Sequence, residues 1–358
     1  PLPSPHVHPD WSPGVEGFVP STCLLCPSHC GILGRVVDGR LVRVDGNPLH
    51  PVSRGGLCPK GRASIQLLYH PSRLHGPLRR EGAPGLGGFA PVAWDAALDR
   101  VGEALRSLRS AGRSGAMAWV VGDAQGSMGD LIERFERAYG SPHRIREAYA
   151  DGSDQVMAWT QGVPARPAFD FDRADLILSF GAPLAEAWWG LPQAAKARDD
   201  AARPRRRWVQ VDTRLSRTAV AADQWVAVRP GTYGVLALGI AYVLLKEGRY
   251  DSTWIADQIT GFEDGTDGEG HGMQGYRSLV LRHGRPEDVS ARTGLDVQEI
   301  VALAKDFGNA QRPLAVWDHA VSWSRGGQAQ ALAIHSLNVL TGSLQRPGGV
   351  YLPPPAPA

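Results

Sequence analysis

The sequence predicts an α/β protein in which a small β-rich domain precedes parallel-sheet lobes of the Rossmann type. Three observations lead there. All four cysteines fall within the first 58 residues, at Cys23, Cys26, Cys30 and Cys58, in a segment punctuated by glycine and poor in helical periodicity. From residue 94 onward short apolar runs alternate with helical patterns, the alternation that builds a parallel sheet covered on both faces. Several of those runs end in Gly or Asp, and in open parallel sheets the ligand crevice lies just outside such carboxyl ends.

Taken in order, residues 34–44 read as a hairpin turning at Asp38-Gly39, with flanks that alternate apolar and polar. Residues 81–92 read as a Gly/Pro-rich connector. A helix is predicted next, because Trp94, Leu98, Val101, Leu105 and Leu108 recur on one face and Asp95 suits the positive end of its dipole. Residues 116–122 read as a short buried strand with a glycine exit, and 127–139 as a helix. Further strands are predicted at 175–181, 207–212, 225–228 and 314–317. Helices are predicted at 186–199, 233–247, 252–258, 297–307 and 328–341. The expected divisions are an extended segment at 1–17, the cysteine domain at 18–80, a first α/β lobe at 90–165, a second at 166–350 and a Pro/Ala tail at 351–358.

Composition excludes several function classes. Hydrophobic residues make up 43% and charged residues 21%, which is globular rather than disordered. With 38 basic against 36 acidic residues, the chain lacks the field of a nucleic-acid binder, and 203–207 (Arg-Pro-Arg-Arg-Arg) reads as a solvated loop. No apolar run reaches the ~18–20 residues that span a bilayer; the longest, at 234–245, stops at Lys246-Glu247. No Walker loop or Ser-His-Asp order is present. The first residues show no signal-peptide pattern, and the chain is expected to be a segment of a longer protein.

The chemistry is concentrated in the cysteines. Cys23-x2-Cys26-x3-Cys30 is closed by Cys58 after 27 intervening residues. Four soft thiolates suit a 4Fe-4S cluster or a zinc ion. Zinc sites usually pair two Cys-x2-Cys knuckles, so one triplet with one distant cysteine favours the cluster; two disulfides or free thiols are the remaining reading. Pro27 and Pro59 fix turns after two of the ligands, and Gly31, Gly55, Gly56 and Gly61 permit close backbone approach. Lys60 is placed to offset a cluster's negative charge, whereas His29 reads as a loop residue.

These residues carry a resemblance. Cys23-Leu24-Leu25-Cys26-Pro27-Ser28-His29-Cys30-Gly31, Gly46-Asn47-Pro48, Gly55-Gly56-Leu57-Cys58-Pro59-Lys60-Gly61 and Tyr69-His70-Pro71-Ser72-Arg73-Leu74 resemble the prokaryotic molybdopterin oxidoreductases of the dimethyl-sulfoxide reductase type. Weaker pieces follow in the family's order: Leu176-Ile177-Leu178-Ser179-Phe180-Gly181, Val211-Asp212-Thr213-Arg214, Val228-Arg229-Pro230-Gly231-Thr232, Leu340-Thr341-Gly342 and Arg346-Pro347-Gly348-Gly349.

The resemblance implies a formate dehydrogenase-like fold without its C-terminal domain, a 4Fe-4S cluster, and bis(molybdopterin guanine dinucleotide) carrying Mo or W. It places Lys60 between cluster and pterin, and Gly181, Glu186, Asp212, Arg214, Gly231 and Thr232 on the dinucleotide. A strand end opening onto a helix N-terminus suits pyrophosphate in any case. Tyr233 stands where the family usually has an acid for guanine. The family's metal ligand follows a turn here represented by Gly140-Ser141-Pro142, and the family's spacing reaches Asp151, with Ser153 next. A hard carboxylate suits an oxophilic high-valent metal; Asp151-Gly152 also reads as a plain turn. The implied partners are a ferredoxin-like iron–sulfur subunit, a membrane quinone-reactive subunit and a small-molecule substrate, in the periplasm, at the membrane or in the cytoplasm. The alternative is a non-catalytic iron–sulfur electron-transfer or scaffold subunit of a respiratory complex that has lost molybdenum. Trp188, Trp189, Trp317 and Trp323 suit a pterin funnel or the core, and His319 and His335 are candidates near the cofactor that read more readily as core histidines.

Overall fold

The computed structural model describes residues 14–26, 28–122, 126–146, 152–186 and 206–352. It divides into two compact units, Pro1–Tyr149 and Ala150–Ala358.

In the first unit three antiparallel strands, Glu16–Thr22, Gly31–Val37 and Arg40–Gly46, lie in chain order. The predicted hairpin is present, and both turn residues are left-handed, Asp38 at φ 49° and Gly39 at φ 76°. That is the turn whose twist matches the flanking strands. The Glu16–Thr22 strand was not foreseen. Pro20 interrupts its pattern and confines it to a sheet edge, where Arg35 forks onto Glu16 with donor–acceptor distances of 2.8 and 3.2 Å.

Two short helices, Pro59–Arg62 and Ile65–Leu68, follow Cys58. The connector expected at 81–92 is instead part of a ribbon: Leu78–Arg80 pairs antiparallel with Phe89–Pro91. Gly82 and Gly85, at φ 91° and 83°, let the chain reverse between them.

The helices Trp94–Ser110 and Ser127–Tyr139 form as predicted. The strand Ala118–Val121 also forms, but it is not buried; Val120 is 72% exposed. Among the described residues its one partner is the parallel strand His143–Arg146, and a single ladder leaves such a strand uncovered.

The second unit is built on a four-stranded parallel sheet in the order Gln224–Ala227, Arg207–Asp212, Leu176–Phe180, Pro313–Trp317. Numbered along the chain this is 3-2-1-4, the arrangement of a Rossmann half with the reversal of strand order between its first and fourth strands. Every residue of Leu176–Phe180 and of Pro313–Trp317 is buried, as expected of parallel strands covered on both faces.

Leu178, Phe180, Val209, Val211 and Trp317 pack on the helices Tyr233–Lys246, Val297–Asn309 and Gly327–Leu340. Ile177, Trp208, Leu314 and Val316 face Phe171 and Leu184 on the other side. The helix predicted at 186–199 lies outside the described residues beyond Glu186, as do Trp188 and Trp189. The helices Ser153–Gln161, Tyr276–His283 and Pro286–Thr293 had no prediction.

Two side-chain contacts finish the sheet. Asn338, buried on the Gly327–Leu340 helix, accepts the Ala315 N–H at 2.8 Å and donates to the Ala315 carbonyl at 2.9 Å. The Ser343 hydroxyl donates to the Pro313 carbonyl at 2.9 Å. His335 on the same helix is fully buried with its ring edge-on to Trp317, at a centroid separation of 5.4 Å.

Candidate functional site

The first constellation is the cysteine loop. All four cysteines are free thiols; Cys23 and Cys30 are buried, Cys26 and Cys58 half-buried. The Cys23 N–H donates to the Cys30 carbonyl at 2.9 Å, closing the loop on itself. His29 takes a left-handed φ of 42° and donates its N–H to the Cys26 carbonyl.

The 47–56 loop backs this turn. The Ser53 hydroxyl, 1% exposed, accepts the Gly31 N–H and lies 3.1 Å from His50 Nδ1. A Cβ on Gly31 would stand 2.5 Å from that of His50, so the contact requires glycine. Cys58 then stands in extended backbone immediately before the Pro59–Arg62 helix, with a proline at the helix start.

The thiols lie near enough to influence one another electrostatically, although among the described residues no three His, Cys, Asp or Glu side chains stand grouped closely enough to hold a metal ion. Burial pushes the Cys30 thiol up to about 11, and the charges of Cys26, Cys23 and Cys58 push the same way. Burial also raises Cys23; the Leu25 N–H and the Lys60 ammonium oppose it. A cationic group bound among the cysteines would favour their thiolate form. The donor set is all sulfur, so it fits an iron–sulfur cluster, and Lys60 lies within electrostatic reach of it.

The second constellation lies at the carboxyl edge of the parallel sheet. A cleft of about 260 Å³ is lined by Gly181 and Glu186 after the first strand, Asp212 and Arg214 after the second, and Gly231 before the Tyr233–Lys246 helix. Ala320 and Ser324, beyond the fourth strand, complete it at the reversal of strand order. Five of the six residues expected on the dinucleotide therefore share one cleft.

Thr232 does not line the cleft. Its hydroxyl turns back to the Arg229 carbonyl at 2.6 Å. Asp151 lies outside the described residues. Ser153, the second choice, is buried at the start of the Ser153–Gln161 helix.

The cleft is held by residues that carried no sequence signal. Asp212 accepts the Ser216 hydroxyl at 2.9 Å, and Ser216 in turn caps the Arg217–Ala221 helix. Glu186 accepts the Thr218 hydroxyl at 3.2 Å and stands 3.8 Å from Arg214. Gln210, fully buried in mid-strand, donates to the Ala182 carbonyl at 3.2 Å and so braces the turn after Gly181.

Tyr233 is buried in the floor of the cleft. Burial first, then the Asp212 charge, raises its phenol above the usual range, while hydrogen bonds to Thr213 oppose the rise. The phenol therefore stays neutral and presents a hydroxyl where a carboxylate was expected. Gly181 at φ 60° and Gly231 at φ 77° both need the freedom of glycine.

A β-rich domain carrying four free cysteines, and a 3-2-1-4 parallel sheet with a polar cleft at its switch point, are the arrangement expected of an iron–sulfur protein that holds a nucleotide-bearing cofactor. The family model for the molybdopterin oxidoreductase Fe4S4 domain matches residues 16–70, and that for molybdopterin oxidoreductase matches 73–352. The chain belongs to the molybdopterin oxidoreductase family, whose two domains imply a 4Fe-4S cluster and a molybdopterin cofactor.

It is 32% identical to the menaquinone reductase molybdopterin-binding-like subunit of Nitratidesulfovibrio vulgaris, over 96% of this chain and 47% of that protein. It is 30% identical to the arsenate respiratory reductase molybdopterin-containing subunit ArrA of a Shewanella species, over 94% of this chain and 42% of that one. The chain thus spans about half the length of the curated relatives it matches. Acetylene hydratase from Pelobacter acetylenicus superposes with a TM-score of 0.75 at 22% identity, over 93% of this chain and 44% of that one, and shares the fold.

Proposed function

We propose that this chain is the N-terminal, cofactor-holding part of a molybdopterin-dependent oxidoreductase of anaerobic or respiratory metabolism. Cys23, Cys26, Cys30 and Cys58 hold the 4Fe-4S cluster. Gly181, Glu186, Asp212, Arg214 and Gly231 receive a dinucleotide arm of bis(molybdopterin guanine dinucleotide), and Asp151 is the protein ligand to Mo or W. The observation that carries the reading is the convergence of those five residues on one cleft at the sheet's switch point.

When bound, the metal–pterin group supplies two-electron chemistry coupled to proton or oxygen-atom transfer, and the cluster supplies one-electron relay. The chain's own residues bind and orient. Asp212 and Arg214 offer an acceptor and a donor to the cleft. The glycine turns admit backbone close to the ligand, and Lys60 moderates the cluster's charge. Electrons would be exchanged with a ferredoxin-like iron–sulfur subunit, itself joined to a membrane quinone-reactive subunit, and the substrate is a small molecule. Both relatives named above are subunits, which supports a multi-subunit setting. Among the described residues no helix is long and apolar enough to cross a membrane; attachment through partners at the periplasmic face is the proposed location.

Metal analysis of the anaerobically purified protein tests the reading. About four irons with acid-labile sulfide, together with Mo or W, is the expected result. Zinc without sulfide would overturn it. Iron without Mo or W would leave the non-catalytic relay instead. Asp151→Ala is expected to abolish turnover while the cluster's spectrum persists, and unchanged turnover would refute the ligand assignment.

A further inference from the structure

The cysteine domain is charged unlike the remainder of the chain. Residues 14–80 hold nine Arg and Lys against three Asp and Glu, whereas the remaining residues hold 29 against 33. Ion pairs engage Arg35 with Glu16, Arg43 with Asp45 and Arg79 with Glu81. The excess gathers around the helices that follow Cys58. The Arg62 N–H donates to the Cys58 carbonyl at 3.1 Å, so Arg62 stands one helical turn, roughly 5–6 Å of axial rise, from a cluster ligand. Beyond it Ile65, Gln66, Tyr69, His70 and Pro71 line a shallow groove of about 420 Å³.

The groove has an apolar centre and a basic rim. Leu67, Leu68 and Tyr69 are exposed. Arg40 lies over the Tyr69 ring at 5.1 Å, and Arg73 donates to the Leu67 carbonyl at 3.4 Å. The Tyr69 hydroxyl donates to the Leu41 carbonyl at 2.9 Å, fixing the ring against the hairpin. An aromatic anchor with two arginines beside it is the composition of a docking centre, and a one-signed rim speeds encounter with an opposite charge.

We propose that this groove is the docking site of the electron carrier, and that the carrier is an iron–sulfur protein with a carboxylate-rich face around its own cluster. The proposal rests on the cluster reading above and adds where the partner binds and what its surface is. In each encounter one electron leaves the reduced carrier's cluster and enters the oxidised cluster of this chain; no bond is made or broken and no proton moves. A small, steered contact that releases quickly suits such traffic.

The test uses the full chain, cluster-loaded, with a reduced plant-type [2Fe-2S] ferredoxin as the acidic probe. Stopped-flow bleaching of the cluster gives the second-order rate. That rate should fall at least about tenfold between ~20 mM and ~500 mM salt. Arg62→Glu with Arg73→Glu should lower it by about tenfold at low salt and flatten the salt dependence, while Arg62→Lys with Arg73→Lys stays within about twofold. Arg292→Glu, an exposed charge reversal in the other unit, should leave it unchanged. Methyl viologen radical, a small cationic reductant, should bleach all variants equally, which shows that the cluster is intact. A salt-independent rate, or one that the double reversal leaves unaltered, overturns the proposal. So does salt-sensitive capture by phosphatidylserine vesicles that the reversal abolishes while the ferredoxin rate holds. A chain lacking iron and sulfide overturns the cluster reading, and the docking proposal with it.

Discussion

Tyr233 lies so close to Gly181 that a Cβ added to the glycine would stand 3.1 Å from the phenol oxygen and 3.3 Å from the Ala320 Cβ. The two residues come from opposite ends of the cleft-forming segments, one leaving the first strand and one opening the long apolar helix. Their contact sets the depth of the cleft floor.

Gly181→Ala is therefore expected to destabilise the protein by about 1–3 kcal/mol, from the positive φ and the crowding together. Tyr233→Phe keeps the packing but loses the hydrogen bonds to Thr213, for about 1 kcal/mol. Urea unfolding measures both. Molybdopterin content should fall more in the alanine variant, because the floor itself is displaced.

Acid should weaken the fold through His335. Neither of its ring nitrogens finds a partner among the described residues, and burial lowers its pKa from 6.5 to about 3. The unfolded chain binds this proton more readily than the folded one. The penalty is therefore absent above pH ~6.5, grows as pH falls below it, and levels off under pH ~3. At pH 5 it amounts to about 2 kcal/mol. His335→Leu should remove that share of the slope in denaturation curves run at pH 7.5 and pH 5; an unchanged slope would refute the assignment.

Asn338→Leu strips both partners from the buried Ala315 backbone. A cost of about 2–4 kcal/mol is expected, with no change in the slope of the denaturant curve. Thermal unfolding should show the same loss.

Cys30→Ser should reduce iron from about four atoms per chain to well under that number and bleach the visible cluster absorption. Circular dichroism should keep its helical signal, since the helix-rich second unit forms its own core. Retention of full iron would refute Cys30 as a ligand.

Much of this architecture was legible in the sequence because its determinants are local. The Asp38-Gly39 turn, the apolar strands at 176–180 and 313–317, and the helices at 252–258 and 127–139 each carry their own periodicity or turn chemistry. The four cysteines were legible for the same reason. The cleft's supports were not. Gln210 looks like a polar intruder in a strand until the Ala182 carbonyl appears beside it, and Thr218 matters only because the fold brings it to Glu186. Val120 reads as buried because its neighbours are apolar; strand count, which the local pattern does not encode, leaves it exposed. The Leu78–Arg80 ribbon was hidden by the glycines that make its turn possible.

The contacts of Asn338 and Ser343 also govern how the molecule meets other molecules. The outermost strand of a sheet is a ready template for any extended chain that can match its free donors and acceptors. Here Pro313 has no N–H to offer and its carbonyl is occupied, while Ala315 has both groups taken by a single amide. Among the described residues, that stretch of the sheet's margin is closed to strand addition at Pro313 and Ala315, which hinders one route into cross-β aggregation.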